Sequence, residues 1–170
     1  MEKAGTGFGK RITKMEKEYL EKIREFYQTT AGELMNEDLP SIGANEPIKK
    51  AINEMSSRCL DHLWVVDGKK LVGVITEKDL LNATKKPGYG DEIAWNALEK
   101  RSLIFRSNRS AEDMMTKRLF TCKKDANVAS MVKLMTDNRI RHLPVVEGDG
   151  IVGEITVDLI VKLVDKEFFA

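Results

Sequence analysis

The sequence predicts a mixed α/β (α+β) fold built from two pseudosymmetric β-α-β-β-α units that pack sheet to sheet. Three observations favour this fold: an internal repeat, one amphipathic helical pattern in each copy, and a pair of short apolar runs after each helix. The chain has 170 residues, which is enough to bury about 70% of the surface of its unfolded form. That length accommodates one core, or two small cores that share an interface.

The internal repeat organises most of the chain. Residues 31–76 align without gaps to residues 111–156, and 13 of the 46 aligned positions are identical, where unrelated sequences of ordinary composition would share about three. A repeat of this length with two copies predicts a two-fold pseudosymmetric pair rather than a solenoid. The predicted segments are an N-terminal tail and helix (1–30), a first repeat (31–83), a connecting loop and helix (84–110) and a second repeat (111–166).

Each repeat carries the same elements in the same order. A short leading strand is predicted at 39–44 and at 119–122. Apolar residues with the i, i+3, i+4, i+7 spacing then predict one helix per copy, and they are Ile48, Ala51, Ile52 and Met55, then Val128, Met131, Val132 and Met135. The apolar runs 62–76 and 142–156 are typical of β-hairpins, with Gly68 and Gly148 at the turns. Thr76 and Thr156 end the second strands, and because Thr is a favourable N-cap we expect a helix after each.

Two segments outside the repeat are also predicted to be helical. Residues 10–28 place most of their apolar side chains on one face, which is typical of a docking helix; these are Ile12, Met15, Tyr19, Ile23, Phe26 and Tyr27. Residues 91–101 predict a helix in the connection, and we expect it to close one end of the pair.

Composition excludes several classes of function. The 28 Lys and Arg residues against 27 Asp and Glu residues give a net charge of +1, so we expect neither a nucleic-acid nor a membrane partner. The chain shows no apolar stretch of signal-peptide or membrane-spanning length, and its two cysteines, Cys59 and Cys122, lie far apart, so a cytoplasmic location is expected. Cys59 and His62 form a single ligand pair, whereas a zinc site needs four ligands, and we predict no metal site. No nucleophile and base recur with an orienting partner, so we predict no catalytic residues and no enzyme.

The first strand-to-helix turn reads Gly73-Val74-Ile75-Thr76-Glu77-Lys78-Asp79. Together with the repeat and the HLPVV strand, it resembles the signature of the CBS (cystathionine β-synthase type) domain family, over about 31–83 and 111–166. The resemblance implies a stand-alone tandem pair that requires no cofactor and binds an adenosine-containing ligand, AMP, ADP or ATP, between the repeats. A helix N-terminus offers free N–H groups to a phosphate, and an Asp carboxylate can accept ribose hydroxyls. From the turn alone, a purely structural cap by Thr76 with Asp79 in the first helical turn explains the residues equally well.

The resemblance also implies that each ligand is shared between the turn of one repeat and the segment before the central strand of the other. One expected cleft combines Thr76 and Asp79 with the basic segment Arg139, Ile140, Arg141 and His142. The second cleft combines Thr156, Asp158 and His62 with Asp61. We expect this cleft to be degraded, because Asp158 lies one residue closer to its Thr, a rotation of about 100° on the helix, and because Asp61 would repel a phosphate. Family geometry places the adenine near Ser41, Ile42, Thr121 and Cys122. For the arginines and histidines, the structural alternatives are a solvated surface and a satisfied pair at the boundary between the repeats.

Two classes of function follow from these residues. The first is a regulatory module that senses energy or metabolite state and signals, through a conformational or dimer change, to an effector protein that the sequence does not identify. The second is a structural or dimerisation module with vestigial clefts. Within the first class, an S-adenosylmethionine sensor is an alternative to a nucleotide sensor. We expect a homodimer formed through the helices that start near Pro47 and Thr76.

Overall fold

The computed structural model describes residues 13–84 and 109–169. In chain order, its elements are α1 (Lys14–Gln28), α2 (Ala31–Leu34), β1 (Ser41–Gly43), α3 (Ile48–Arg58), β2 (His62–Asp67), β3 (Lys70–Thr76), α4 (Glu77–Thr84), α5 (Val128–Asn138), β4 (His142–Glu147), β5 (Gly150–Thr156) and α6 (Val157–Phe168). The predicted α+β class, both hairpins and the helix after each hairpin are confirmed. The helix predicted at 91–101 lies outside the described residues, as do residues 10–12 of the N-terminal helix prediction.

Local sequence explains where these elements begin and turn. The Thr13 hydroxyl accepts the Glu16 N–H at 3.2 Å, and the Glu16 carboxylate accepts the Thr13 N–H at 2.7 Å, a capping box that starts α1. Gly68 and Gly148 have φ angles of 60° and 61°, which the two-residue turns of both hairpins require and which glycine adopts without strain. None of the helices in 13–84 and 109–169 combines the length and apolar character needed to cross a membrane.

The strands form one five-stranded sheet in the order β1-β2-β3-β5-β4. Strand β1 is parallel to β2, and each hairpin is antiparallel. The hairpins join at the bridge between Lys70 and Gly150, so the two units meet along a sheet edge in addition to their buried contacts. The leading strand predicted at 119–122 is reduced to a single bridge between Cys122 and Val145.

The segments that precede each leading strand cross to the opposite repeat. The Ala31 N–H donates to the Ala126 carbonyl at 2.7 Å, and the Ala111 N–H donates to the Glu46 carbonyl at 2.8 Å. Further along, Asn36 bridges β5 at Glu154, and Thr116 makes the equivalent bridge to β3. Residues 31–36 therefore belong to the second packed unit, and residues 111–116 belong to the first. The unit that repeats in sequence differs from the unit that packs in space.

Two hydrophobic cores reflect this exchange. The first contains mainly residues of the first repeat together with Ala111, Met114 and Met115 of the second. The second core contains mainly residues of the second repeat, with Phe26 of α1 and Ala31, Leu34 and Met35. The predicted helical and strand positions fill these cores, and the fully or nearly buried members are Ile42, Ile48, Ala51, Met55, Leu63, Val65 and Ile75 in the first, and Val128, Met131, Met135, Leu143, Val145 and Ile155 in the second.

Helix α1 packs on the second core mainly through its C-terminal half. Phe26 is buried and lies edge-to-face with Phe168 of α6, with 5.5 Å between ring centroids. Met15 and Tyr19 of the predicted face are exposed, although the Tyr19 ring also lies edge-to-face with Phe168, with 6.2 Å between ring centroids. Docking by this helix thus depends on aromatic contacts of Tyr19 and Phe26 with Phe168.

Candidate functional site

The first strand-to-helix turn joins β3 to α4. Asp79 Oδ2 accepts the Thr76 N–H at 2.9 Å and the Thr76 hydroxyl at 2.7 Å, and the Asp79 N–H donates to Thr76 Oγ1 at 3.3 Å. Asp79 Oδ1 accepts the hydroxyl of Thr116 from the second repeat at 3.2 Å. Asp79 is therefore a half-buried carboxylate that residues from both repeats position in the first helical turn. Such a carboxylate can accept the hydroxyls of a sugar in place of these threonine hydroxyls.

The second turn, between β5 and α6, is built differently. The Thr156 hydroxyl accepts the Leu159 N–H at 3.2 Å and caps α6. Asp158 pairs instead with Lys162 at 2.7 Å, and both side chains are exposed. The one-residue difference in sequence has thus turned this carboxylate along the helix surface, where it forms an ordinary i, i+4 ion pair.

The basic segment lies between α5 and β4. Arg139 ends α5 in the left-handed conformation, with φ of 53°, and the Arg141 carbonyl accepts the Val157 N–H at 3.1 Å. Both arginine side chains are exposed. Among the residues that the structure describes, neither guanidinium forms an ion pair, so both are available to an anion. Ile140 is half-buried and packs against the second core.

The two histidines meet at the boundary between the repeats, which we call the repeat seam and define by Asp61, His62, Trp64, His142 and Glu154. The imidazole rings stack with 3.8 Å between centroids. Asp61 bridges them, with Oδ1 2.9 Å from Nδ1 of His62 and Oδ2 3.0 Å from Nε2 of His142. Nε2 of His62 lies 2.8 Å from Oε2 of Glu154, which also accepts the Trp64 indole N–H at 2.7 Å. One polar network therefore crosses the whole interface.

Charge is distributed unevenly over this network. Burial lowers the pKa of His62, but its hydrogen bonds to Glu154 and Asp61 outweigh burial, and the pKa is raised overall. Burial raises the pKa of Glu154 and of Asp61, yet contact with the histidines leaves both below their usual values. The pKa of His142 is lowered by burial and by the positive charge on His62. Because this lowered pKa leaves His142 neutral at pH 7 despite its contact with Asp61, the positive charge of the basic segment rests on the two arginines.

The basic segment and the first turn are connected through Asp61. Its side chain contacts His142 at the end of the basic segment, and its carbonyl accepts the Glu77 N–H of the first turn at 3.1 Å. Asp61, predicted to belong to the second cleft, thus lies between the basic segment and the turn that holds Thr76. The seam brings His62 and His142 together as well, although they were assigned to different clefts.

The residues predicted to surround the adenine differ in accessibility. Ile42 lies on the edge strand β1, but its side chain is 4% exposed and belongs to the first core. Thr121 is exposed and Cys122 is half-buried, and burial raises the pKa of the Cys122 thiol to about 11. Cys122 also lines a surface cavity of about 410 Å³ together with residues of α5, Ser130, Met131 and Leu134 among them. An apolar wall is therefore accessible beside Cys122, whereas Ile42 presents only its backbone.

Comparison with known proteins identifies the family. The CBS domain family matches residues 31–86 and 111–166, which together form most of the chain. The chain belongs to the CBS-domain family. A relative from Arabidopsis thaliana, the mitochondrial CBS domain-containing protein CBSX3, is 29% identical over 130 residues, 72% of this chain and 55% of that protein. The chain thus spans about half the length of that relative.

Solved structures of CBS pairs share the fold. The crystal structure of CBSX2 in complex with AMP superposes with a TM-score of 0.65 at 22% identity, over 81% of this chain and 96% of that one. The CBS domain pair of protein MJ0100, in complex with 5′-methylthioadenosine and S-adenosyl-L-methionine, gives a TM-score of 0.62 at 23% identity, over 82% and 98% of the two chains. These likenesses confirm the expected arrangement of two CBS repeats.

Sequence reasoning missed three residues that shape the site in this CBS pair. Thr116 contacts Asp79 from the opposite repeat, and Glu154 with Trp64 completes the seam. Glu154 did leave a signal, because it interrupts the apolar strand GIVGEIT at the position that Val74 occupies in the first repeat. A charge inside a core strand predicts a buried partner. Thr116 left no such signal in the sequence, because its contact with Asp79 depends on the crossing of residues 111–116 to the other repeat.

Proposed function

We propose that this CBS pair is a non-catalytic regulatory module that binds one adenosine-containing ligand per chain in the cleft of Thr76 and Asp79. The observation that carries the proposal is the difference between the two turns. Asp79 is half-buried and positioned by both repeats, whereas Asp158 is paired with Lys162 at the surface. A carboxylate that is already oriented loses little conformational entropy when it accepts a ribose diol, which favours binding.

Two unpaired cations favour a phosphate-bearing ligand. Arg139 and Arg141 are exposed and form no ion pair within 13–84 and 109–169, and guanidinium groups suit the geometry of phosphate oxygens. AMP, ADP and ATP provide that charge. S-adenosylmethionine carries a sulfonium cation, which two arginines disfavour. The AMP complex of CBSX2 supports this ligand class, and the MJ0100 complex keeps S-adenosylmethionine as the alternative to test.

Titration calorimetry with AMP, ADP, ATP, adenosine and S-adenosylmethionine tests the proposal. We expect one site per chain and weaker binding of adenosine, which has no phosphate. Asp79→Asn replaces a charged acceptor, and hydrogen bonds to such an acceptor are worth about 1.5–3 kcal/mol each. The affinity of this variant for the adenosine ligand should therefore fall by about tenfold or more. Asp158→Asn is the matched control on the second turn and should bind as the parent does. Equal losses in the two variants would refute the assignment of the cleft.

The phosphate contacts are tested separately. Arg141→Gln should weaken the binding of ATP and AMP but leave the binding of adenosine unchanged. The loss of affinity should be smaller at high salt, because salt screens exposed charges. If no adenosine compound binds and none raises the melting temperature, the structural module with vestigial clefts is the better description. The hydrogen bonds of Thr76 and of the seam would then serve stability alone.

Signalling requires a surface that a ligand can alter, and we propose a homodimer in cytoplasmic solution that relays the change to an effector protein. Large apolar side chains are exposed on the helices that follow each hairpin, namely Leu81 on α4 and Val157 and Val161 on α6. Burying such residues between subunits would remove apolar area from water. Light scattering with and without AMP measures the stoichiometry. A monomer under both conditions would exclude a dimer-based signal.

A further inference from the structure

The repeat seam contains three metal-ligand side chains that come from both repeats. Asp61 and His62 lie at the start of β2, and His142 lies at the start of β4. One ligand atom from each of the three side chains lies within 4.8 Å of the other two. Sequence reasoning paired His62 only with Cys59, which is exposed and ends α3, so the contribution of His142 was not visible from spacing.

We propose that Asp61, His62 and His142 form a binding site for a divalent transition-metal ion of the Zn²⁺ type. Two imidazoles and one carboxylate are a donor set that suits Zn²⁺, Co²⁺ or Ni²⁺ better than Mg²⁺, which prefers oxygen ligands. With metal–ligand bonds near 2.0–2.1 Å, tetrahedral ligands stand about 3.4 Å apart. Asp61 already lies 2.9 and 3.0 Å from the two imidazole nitrogens, so modest side-chain movement brings the three donors around one ion.

The surroundings of His62 match those of a metal-ligating histidine. Such a histidine usually donates its second ring N–H to a carboxylate, which fixes the ring and its tautomer. Nε2 of His62 lies 2.8 Å from the Glu154 carboxylate, and both side chains are 5% exposed. The Trp64 indole N–H holds the same carboxylate oxygen at 2.7 Å. This support directs Nδ1 of His62 toward Asp61, where the ion would bind.

Charge and access also favour a cation at this position. Asp61 lies against both imidazoles and Glu154 lies against His62, so two carboxylates would offset the charge of a divalent ion that takes the place of the imidazole protons facing Asp61. The Asp61 side chain is 41% exposed, which leaves a route from solvent and space for water as a fourth ligand. The site would connect the two repeats directly, because its ligands come from both.

Calorimetry of chelator-treated protein with ZnCl₂ and with MgCl₂ tests the site. We expect one Zn²⁺ per chain, no comparable binding of Mg²⁺, and a higher melting temperature with one equivalent of Zn²⁺. Removing a group that only supports a ligand lowers metal affinity about 10–100-fold. Asp61→Asn and His142→Gln remove direct ligands, so each should lower the affinity for Zn²⁺ by at least about tenfold. Both are near-isosteric, and circular dichroism checks that they fold.

Cys59→Ser is the control for the neighbouring thiol, and it should bind Zn²⁺ as the parent does. Binding of Co²⁺ should give the visible absorption of a tetrahedral N/O site in the parent and in Cys59→Ser, and lose it in the other two variants. The proposal is overturned if Zn²⁺ binds folded Asp61→Asn and His142→Gln as tightly as the parent, if Cys59→Ser loses the metal, or if the parent binds none. None of these outcomes depends on an adenosine ligand.

Discussion

Replacing Gly73 by alanine tests the crosswise packing of the two repeats. A Cβ atom at Gly73 would meet the Met115 sulfur and would lie 2.7 Å from its Cγ and 3.0 Å from its Cβ. Contacts of this kind force Met115 and the crossing segment to move. Overpacking a well-packed site costs about 1–3 kcal/mol, and we expect the free energy of unfolding to fall by about 2 kcal/mol. The melting temperature should fall by roughly 4–8 °C.

A double-mutant cycle identifies the cause of this loss. Met115→Ala removes the two closest atoms and leaves only the 3.0 Å contact, so adding it to Gly73→Ala should recover about 1 kcal/mol relative to the sum of the single variants. Gly153 and Met35 form the equivalent contact and should behave alike. Gly32→Ala is the control, because a Cβ atom at this helical position would have no contact under 3.4 Å. Its free energy of unfolding should rise by about 0.5–1 kcal/mol. If the losses of Gly73→Ala and Met115→Ala in the free energy of unfolding, measured in urea, simply add, the contact between these two residues does not explain the effect of Gly73→Ala.

Three further predictions concern titration, reactivity and capping. Because the chain has two histidines, NMR titration with a chelator present should resolve both, with the pKa of His62 above and that of His142 below the ordinary 6.5; the reverse order would contradict the charge distribution of the seam. A disulfide reagent at mildly alkaline pH should label exposed Cys59 rapidly and Cys122 slowly, since burial raises the Cys122 pKa to about 11, and Cys59→Ser should retain only the slow phase. Thr156→Ala removes the cap of α6 and should cost about 1 kcal/mol in urea unfolding, and an unchanged midpoint would show that the cap contributes nothing.

Local patterns were sufficient to predict most of the elements. Helical spacing of apolar residues located α3 and α5, and glycine turns between apolar runs located the hairpins, because these signals are set by neighbours along the chain. The leading strand of the second repeat was predicted from LFTC at 119–122, yet only Cys122 pairs with the sheet. Short apolar runs carry too little information to separate a strand from a single bridge.

Long-range partnerships were beyond sequence reasoning. The identities Ala31/Ala111 and Met35/Met115 mark these positions as equivalent, but they do not say which core each residue enters. The contact of Asp61 with His142 spans 81 positions and depends on both repeats being folded. The assignment of Thr76, Asp79 and the basic segment to one ligand cleft stays a prediction.

The exchange of residues 31–36 and 111–116 has a consequence for how this architecture can be divided. A molecule that contained one repeat alone would lack the segment that completes its core, and would have to borrow it from a second molecule of the same kind. Two such molecules would trade arms reciprocally, as in a domain-swapped dimer with two-fold symmetry. The tandem chain is equivalent to that dimer with its subunits fused. Fusion also frees the two halves from being identical, so that Asp61 can stand where the second repeat has Arg141, and Glu154 where the first repeat has Val74.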